Sequence, residues 1–241
     1  MIISHKYKFI FIKTRKTAGT SIETYLSRYS DKKDIITPVG NEPETEVHKS
    51  RNWKGFFNPF PELFLFDGNV KSLAKPFKDF LFREKFYNHI PAYRVKARVP
   101  QKIWDSYYKF CVERNPWDKT ISHYSMVNQR SNDGLTFDEY ISKKNFCFNF
   151  PLYMDHKHQR IIVDKVLKHE NLYSELGEVF ADIGIPFDGV LNVRAKSHYR
   201  KDKRPYQEVF SGEYKKHRDV IADAFKKEIE LHGYSFDGGS D

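Results

Sequence analysis

The sequence predicts one α/β domain, a central parallel sheet flanked by helices. Three observations predict it. A strand–loop–helix unit occurs twice, beginning at Tyr7 and again at Tyr107. Strands and helices alternate along the chain, the order that lays parallel strands beneath crossover helices. A length of 241 residues, 39% of them hydrophobic, suits one substantial core. No internal repeat or low-complexity tract interrupts residues 1–241, which read as a single domain with a Phe-rich insertion at about 50–95.

The elements follow in order. Tyr7–Lys13 (YKFIFIK) is a buried strand, and Ile22, Leu26 and Tyr29 recur at the spacing of an amphipathic helix. Residues 31–60 carry the Asp, Asn, Pro and Gly of a loop. The stretch from Trp53 to Phe86 mixes Phe with Lys and keeps no single period. It reads as a helical cap over an acceptor site, a dimer surface, a satellite core or a peripheral membrane contact. Tyr107–Glu113 (YYKFCVE) is the second strand. Asn115 is placed to cap the helix that follows, Pro116 suits its first position, and Asp118 complements its dipole. Trp117, Ile121 and Tyr124 give that helix its apolar face. A third strand is expected at Ile161–Lys168, a helix at Leu172–Ile183, and a long last helix from about Gly212 to His232.

A net charge of +9 favours an anionic partner. Cys111 and Cys147 are too few for a disulfide framework or a four-cysteine zinc site, and Cys111 lies in a strand, as a buried reduced thiol would. The first residues read as a strand, not a signal peptide, and no run approaches the roughly 20 apolar residues that span a bilayer. A cytoplasmic protein is expected.

Two motifs carry chemistry. Between the first strand and its helix lies TRKTAGTS, the layout of a phosphate loop without the GxxxxGK[ST] spacing of nucleoside triphosphatases. Amides at a helix start bind anions, Gly19 permits close approach, Lys16 adds a point charge, and Thr17, Thr20 and Ser21 offer hydroxyls. After the second strand, Arg114 offers a planar fork for a phosphate, and Ser122 follows in the next helix. Both loops fall at the carboxyl edge of the sheet, where α/β proteins bind ligands. Two anion sites at one edge suit a ligand with two separated phosphates.

FIKTRKTAGTS followed by VERNPWDKTISHY resembles the paired motifs of sulfotransferases that use 3′-phosphoadenosine-5′-phosphosulfate (PAPS), most closely the branch that sulfates carbohydrate hydroxyls. The likeness extends through NHIPAYRVK, KHENL and KSHYRKDKRPY. It implies a P-loop-like sulfotransferase fold, with PAPS as donor, adenosine 3′,5′-bisphosphate (PAP) as product and no metal. It places the 5′-phosphosulfate on Arg15, Lys16, Thr17, Ala18, Gly19, Thr20 and Ser21, and the 3′-phosphate on Arg114 and Ser122. Lys196, Ser197 and Arg200 would lie near the 3′-phosphate or adenine, in a basic loop that closes over the nucleotide. Trp117 and Tyr199 are candidates to pack on adenine, although an apolar helix face explains Trp117 better. Two positions depart from the pattern: Arg15 stands where such proteins often carry Pro, and Lys119 where they often carry a second Arg.

In sulfuryl transfer Lys16 would neutralise charge on the departing phosphate, and the acceptor hydroxyl needs a base. The resemblance makes His89 the first choice, with His48 and Glu113 in reserve. His156 and His158 form an HxH without a spaced third ligand, so a metal is not expected. The acceptor is expected on a glycan or other small molecule. Two other readings stand beside this one: a P-loop small-molecule kinase, which should carry GxxxxGK[ST], and a non-enzymatic polyanion-binding module. No nucleic-acid-binding signature supports the latter as a nucleic-acid reader.

Overall fold

A computed structural model describes residues 1–39, 48–65, 70–131, 134–191 and 202–237. The strands are β1 (Ile2–Ser4), β2 (Phe9–Phe11), β3 (Ile35–Ile36), β4 (Tyr108–Glu113) and β5 (Lys165–Lys168). The helices are α1 (Gly19–Ser27), α2 (Phe60–Leu63), α3 (Val70–Leu81), α4 (Ala92–Arg98), α5 (Gln101–Ser106), α6 (Pro116–Ser131), α7 (Phe137–Ser142), α8 (Phe150–Tyr153), α9 (Leu172–Asp182), α10 (Tyr206–Ser211), α11 (Arg218–Ala224) and α12 (Lys226–His232).

The sheet order is β3-β1-β2-β4-β5. β2, β4 and β5 are mutually parallel, as expected, but β1 runs antiparallel to both β2 and β3, so the sheet is mixed. The departure lies in the first dozen residues, which form a hairpin and not one strand. Ile2 faces Phe11 and Ser4 faces Phe9. The polar segment His5–Lys8 turns the chain, with Lys8 in the left-handed region. Buried Asp34 braces the reversal, accepting from the Ser4 hydroxyl at 2.9 Å and the His5 amide at 2.7 Å.

Alternation along β2 sends Phe9 and Phe11 to one face and Ile10 to the other. The first face packs with Phe110 and Val112 of β4 against Ile22 and Leu26 of α1 and Val179 and Phe180 of α9. The second packs with Cys111 against Val95, Trp104 and Tyr153. Cys111 and Cys147 are free and buried, and burial pushes both thiols up. Among the described residues no helix is long and apolar enough to cross a membrane.

The helix at Leu172 appears where expected. The third strand is shorter, Lys165–Lys168, with Ile161 making an isolated bridge to Met154. The long last helix is broken into α10, a 3₁₀ turn at Lys215–His217, α11 and α12. The bend at Phe225 seats that ring against Phe146 and Phe148 and brings Glu228 inward onto buried Lys119. A straight amphipathic helix accounts for Ile221, Phe225 and Ile229 but not for an inward glutamate.

Candidate functional site

The parallel strands share a direction, so the segments after β2, β4 and β5 emerge at one edge of the sheet. The first segment is held by its main chain. Thr14 donates its hydroxyl to the Val112 carbonyl on β4, and the Thr17 hydroxyl is 2.8 Å from that of Thr14. Asn149 grips the Arg15 peptide from both sides, accepting from its N–H at 2.9 Å and donating to its carbonyl at 3.0 Å. Proline at position 15 would lack the N–H that the first of these bonds needs. Arg114 Nη1 donates to the Lys16 carbonyl at 3.0 Å.

Between these anchors, Lys16 (φ 61°) and Ala18 (φ 58°) both lie in the left-handed region. Each non-glycine residue there costs on the order of 1 kcal/mol, and such outliers gather at ligand sites. Left-handed residues alternating with ordinary ones turn successive amides toward one concavity, a nest for anions. α1 begins immediately after, and Ala18 supplies no side-chain cap, so the first-turn amides have no acceptor from that source. Gly19 is required by contact: a Cβ there would sit 2.9 Å from Lys13 Cγ and 3.3 Å from the Thr14 carbonyl.

Of the residues expected here, Arg15 is exposed, and Lys16, Ala18 and Thr20 are half-buried around the nest. Ser21 is buried in the first turn of α1. Thr17 is buried, its hydroxyl 2.8 Å from that of Thr14, which ties this part of the loop to β4.

Arg114 stands at the same edge. Its Nε and Nη2 meet Asp118 at 2.8 and 2.6 Å, so its fork holds a carboxylate while Nη1 holds the loop. Ser122 lies one turn beyond Asp118 on α6 and is buried. Asn115 caps α6, accepting from the Trp117 amide at 3.1 Å, while its own amide donates to Glu170 at 2.7 Å. Trp117 is core, sandwiched with Tyr206 and Phe236 and donating to the Arg218 carbonyl at 3.0 Å.

Lys119 does not face a ligand. Its ammonium is fully buried between Glu113 and Glu228, which outweigh the cost of burial and raise its pKa. Glu113 is equally buried, accepting from Lys119, the Arg114 amide, Asn149 and the Tyr153 hydroxyl. Three of these donors share Oε1 and Tyr153 meets Oε2, so the carboxylate is committed to the interior of the protein. His48 is buried 3.9 Å from Glu23, in the interior and not at the loop tip.

His89 sits after β2, in the loop before α4, as expected. Its Nδ1 is 3.0 Å from the Lys13 carbonyl, which can only accept, so Nδ1 carries the proton and Nε2 keeps its lone pair. Burial, then the Lys13 charge, lowers its pKa to about 3. Two further neutral histidines stand nearby that the sequence did not single out. His123, on α6, has Nδ1 2.8 Å from the Tyr140 hydroxyl, and burial followed by the charges of Lys16 and Arg15 lowers it to about 4. His169 follows β5, and burial with Arg114 lowers it to about 3.

Ligand atoms of Asp118, His169 and Glu170 lie within 4.8 Å of one another. Arg114 already occupies Asp118, and its guanidinium opposes a cation at that point. Lys196, Ser197, Tyr199 and Arg200 lie outside the described residues. Asn149 and Lys13 also escaped the sequence reading: Asn149 stands in no motif and only folding brings it to the loop, while Lys13 lies in the FIKTRKTAGTS motif but its burial against Glu23 depends on the fold.

No protein-family model matches the chain. An uncharacterized protein of Archaeoglobus fulgidus is 37% identical to it over 119 residues, which make up 46% of this chain and 98% of that protein.

Proposed function

The chain belongs to the same family as that archaeal protein, and we propose that it is a PAPS-dependent sulfotransferase acting on a carbohydrate hydroxyl in the cytoplasm. One observation carries the reading. The left-handed loop at Lys16–Ala18 and the Arg114–Ser122 unit meet at one sheet edge, joined by the hydrogen bond from Arg114 to the Lys16 carbonyl. A sheet edge with two adjacent anion-binding devices suits a donor bearing phosphates at two positions.

The donor would supply an activated sulfuryl group on a phosphate leaving group. The nest amides at 16–20 hold the anion, and Lys16 balances the charge that grows on the departing phosphate oxygen. Arg114 meets the second phosphate by exchanging Asp118 for it, one anion for another. Ser122, on the same helix face, donates its hydroxyl to that group. His89 Nε2 takes the proton of the acceptor hydroxyl as the new S–O bond forms and the old one breaks. Burial is the main cause of the low His89 pKa; an anion held beside Lys13 and Arg15 would offset only the smaller contribution of those two charges, raising its basicity in part.

Thermal stability tests this. Adenosine 3′,5′-bisphosphate at about 100 times its dissociation constant should stabilise the protein by about 2.7 kcal/mol. Lys16→Ala and Arg114→Ala should remove that gain. Stabilisation by ATP with magnesium, with no preference for a 3′-phosphate, would sink the proposal in favour of a kinase. A steeply salt-dependent affinity for nucleic acid, with no nucleotide effect, would sink it in favour of a polyanion binder.

A further inference from the structure

The region from Lys54 to Arg83 is built inside out. A surface helix normally turns its apolar stripe to the core and its charges to water. On α3 the outward positions at helical spacing are Ala74, Phe77, Lys78 and Leu81, whereas Asp79 is buried. Asp79 and buried Glu62 of α2 hold Arg98, and Glu62 also holds Arg94, so the carboxylates of both helices are neutralised inside. The apolar side chains stand outside: Phe64 is 86% exposed, Leu81 75%, Phe82 66% and Phe60 60%. They are not scattered. Phe60 packs edge-on to Phe77, Phe56 touches Phe80, and the Arg83 guanidinium lies 4.5 Å above the Phe56 ring.

The charges around this face are mostly positive. Among the described residues of 54–85 the exposed charged ones are Lys54, Lys78 and Arg83, and the half-buried ones are Lys75, Lys85 and a single acid, Glu84. Protruding Phe and Leu side chains ringed by Lys and Arg match the interface of an anionic bilayer, where apolar groups enter the acyl boundary and cations meet headgroups. The most exposed apolar groups lie at the end of α2 and along the last turn of α3.

We propose that this face docks the protein peripherally on an anionic lipid bilayer, whatever reaction the sheet edge carries out. The test is co-sedimentation of the full chain with vesicles of phosphatidylcholine alone and with about one third phosphatidylglycerol. Binding is expected only to the anionic vesicles, and weaker as salt is raised. The pair Phe64→Ser and Leu81→Ser should weaken it about tenfold or more, as should Lys78→Glu with Arg83→Glu. Lys143→Glu with Lys144→Glu, exposed beside α7, should change it much less. Melting temperatures near that of the parent chain would show that each variant still folds. Failure to sediment with anionic vesicles would overturn the proposal, as would sedimentation indifferent to the apolar pair. Self-association by light scattering that the apolar pair abolishes, without vesicle binding, would overturn it too and assign the face to a second copy.

Discussion

Two buried lysines serve the same sheet with different numbers of carboxylate partners. Lys13 lies under the loop, with its ammonium on Glu23, which the Met1 ammonium also meets. Burial alone would raise Glu23, but the Met1 amine and Lys13 hold it down at about 2, while burial lowers the Met1 amine itself to about 6, so near neutral pH one lysine faces one carboxylate. Lys119 lies behind α6 on two carboxylates, Glu113 and Glu228. There anions are in excess, and burial followed by Glu113 raises Glu228. A lysine matched by one carboxylate thus lies beneath the candidate anion loop, and the lysine facing two carboxylates lies farther back. Burying a charge is costly in either place. What differs is the number of carboxylates each ammonium must hold, and the smaller number lies nearer the edge proposed to take an anion.

The comparison can be broken hardest at Lys119. Lys119→Met leaves two carboxylates buried without a cation and should cost about 3–5 kcal/mol, read from denaturant unfolding at pH 7. Glu23→Gln strands Lys13 and should cost about 3 kcal/mol. It should also weaken the gain from adenosine 3′,5′-bisphosphate in a melting experiment, because Gly19 packs on Lys13 and its displacement moves the loop.

Next come the depressed histidines, His89, His123 and His169. Each is protonated more readily unfolded than folded, so its contribution is present above pH 6.5 and lost as pH falls toward 3 to 4. Between pH 7 and pH 5 each should forfeit about 1–2 kcal/mol, reduced for partial exposure, and His123→Gln should flatten that part of the pH profile. The smallest effect sharpens the contrast. Glu228 is raised, so its contribution is present below its ordinary value of 4.5 and lost as pH rises through the folded value. Glu228→Gln should therefore cost less than about 1 kcal/mol at pH 8 and remove a downward slope with rising pH, opposite to the slope of the histidines.

Short-range pattern made the parallel part of the sheet legible. β4 matches the apolar run YYKFCVE within a residue, and the cap at Asn115 with Pro116 marked the start of α6. The hairpin was not legible, because IIS and FIF are separated only by HKYK and the turn depends on Asp34, distant in sequence. Motif spacing placed the loop and Arg114 at one edge. It could not reveal that Arg114 holds Asp118, since an arginine and an aspartate four apart on a helix are equally compatible with solvent. Nor could it show that Lys119 is buried: its two partners come from β4 and α12, and only the bend at Phe225 delivers the second. The inverted polarity of α3 was not legible either: Ala74, Phe77 and Leu81 keep helical spacing, but which face is buried depends on Asp79 meeting Arg98, nineteen residues on.

The three bonds that fix the loop tip from neighbouring side chains reach main-chain atoms: Asn149 to the Arg15 N–H and carbonyl, and Arg114 to the Lys16 carbonyl. The side chains of Arg15 and Lys16 take no part in those bonds. The curvature of the tip is therefore set through its backbone, so whatever side chains stand at positions 15 and 16 are presented on a path that Asn149 and Arg114 hold.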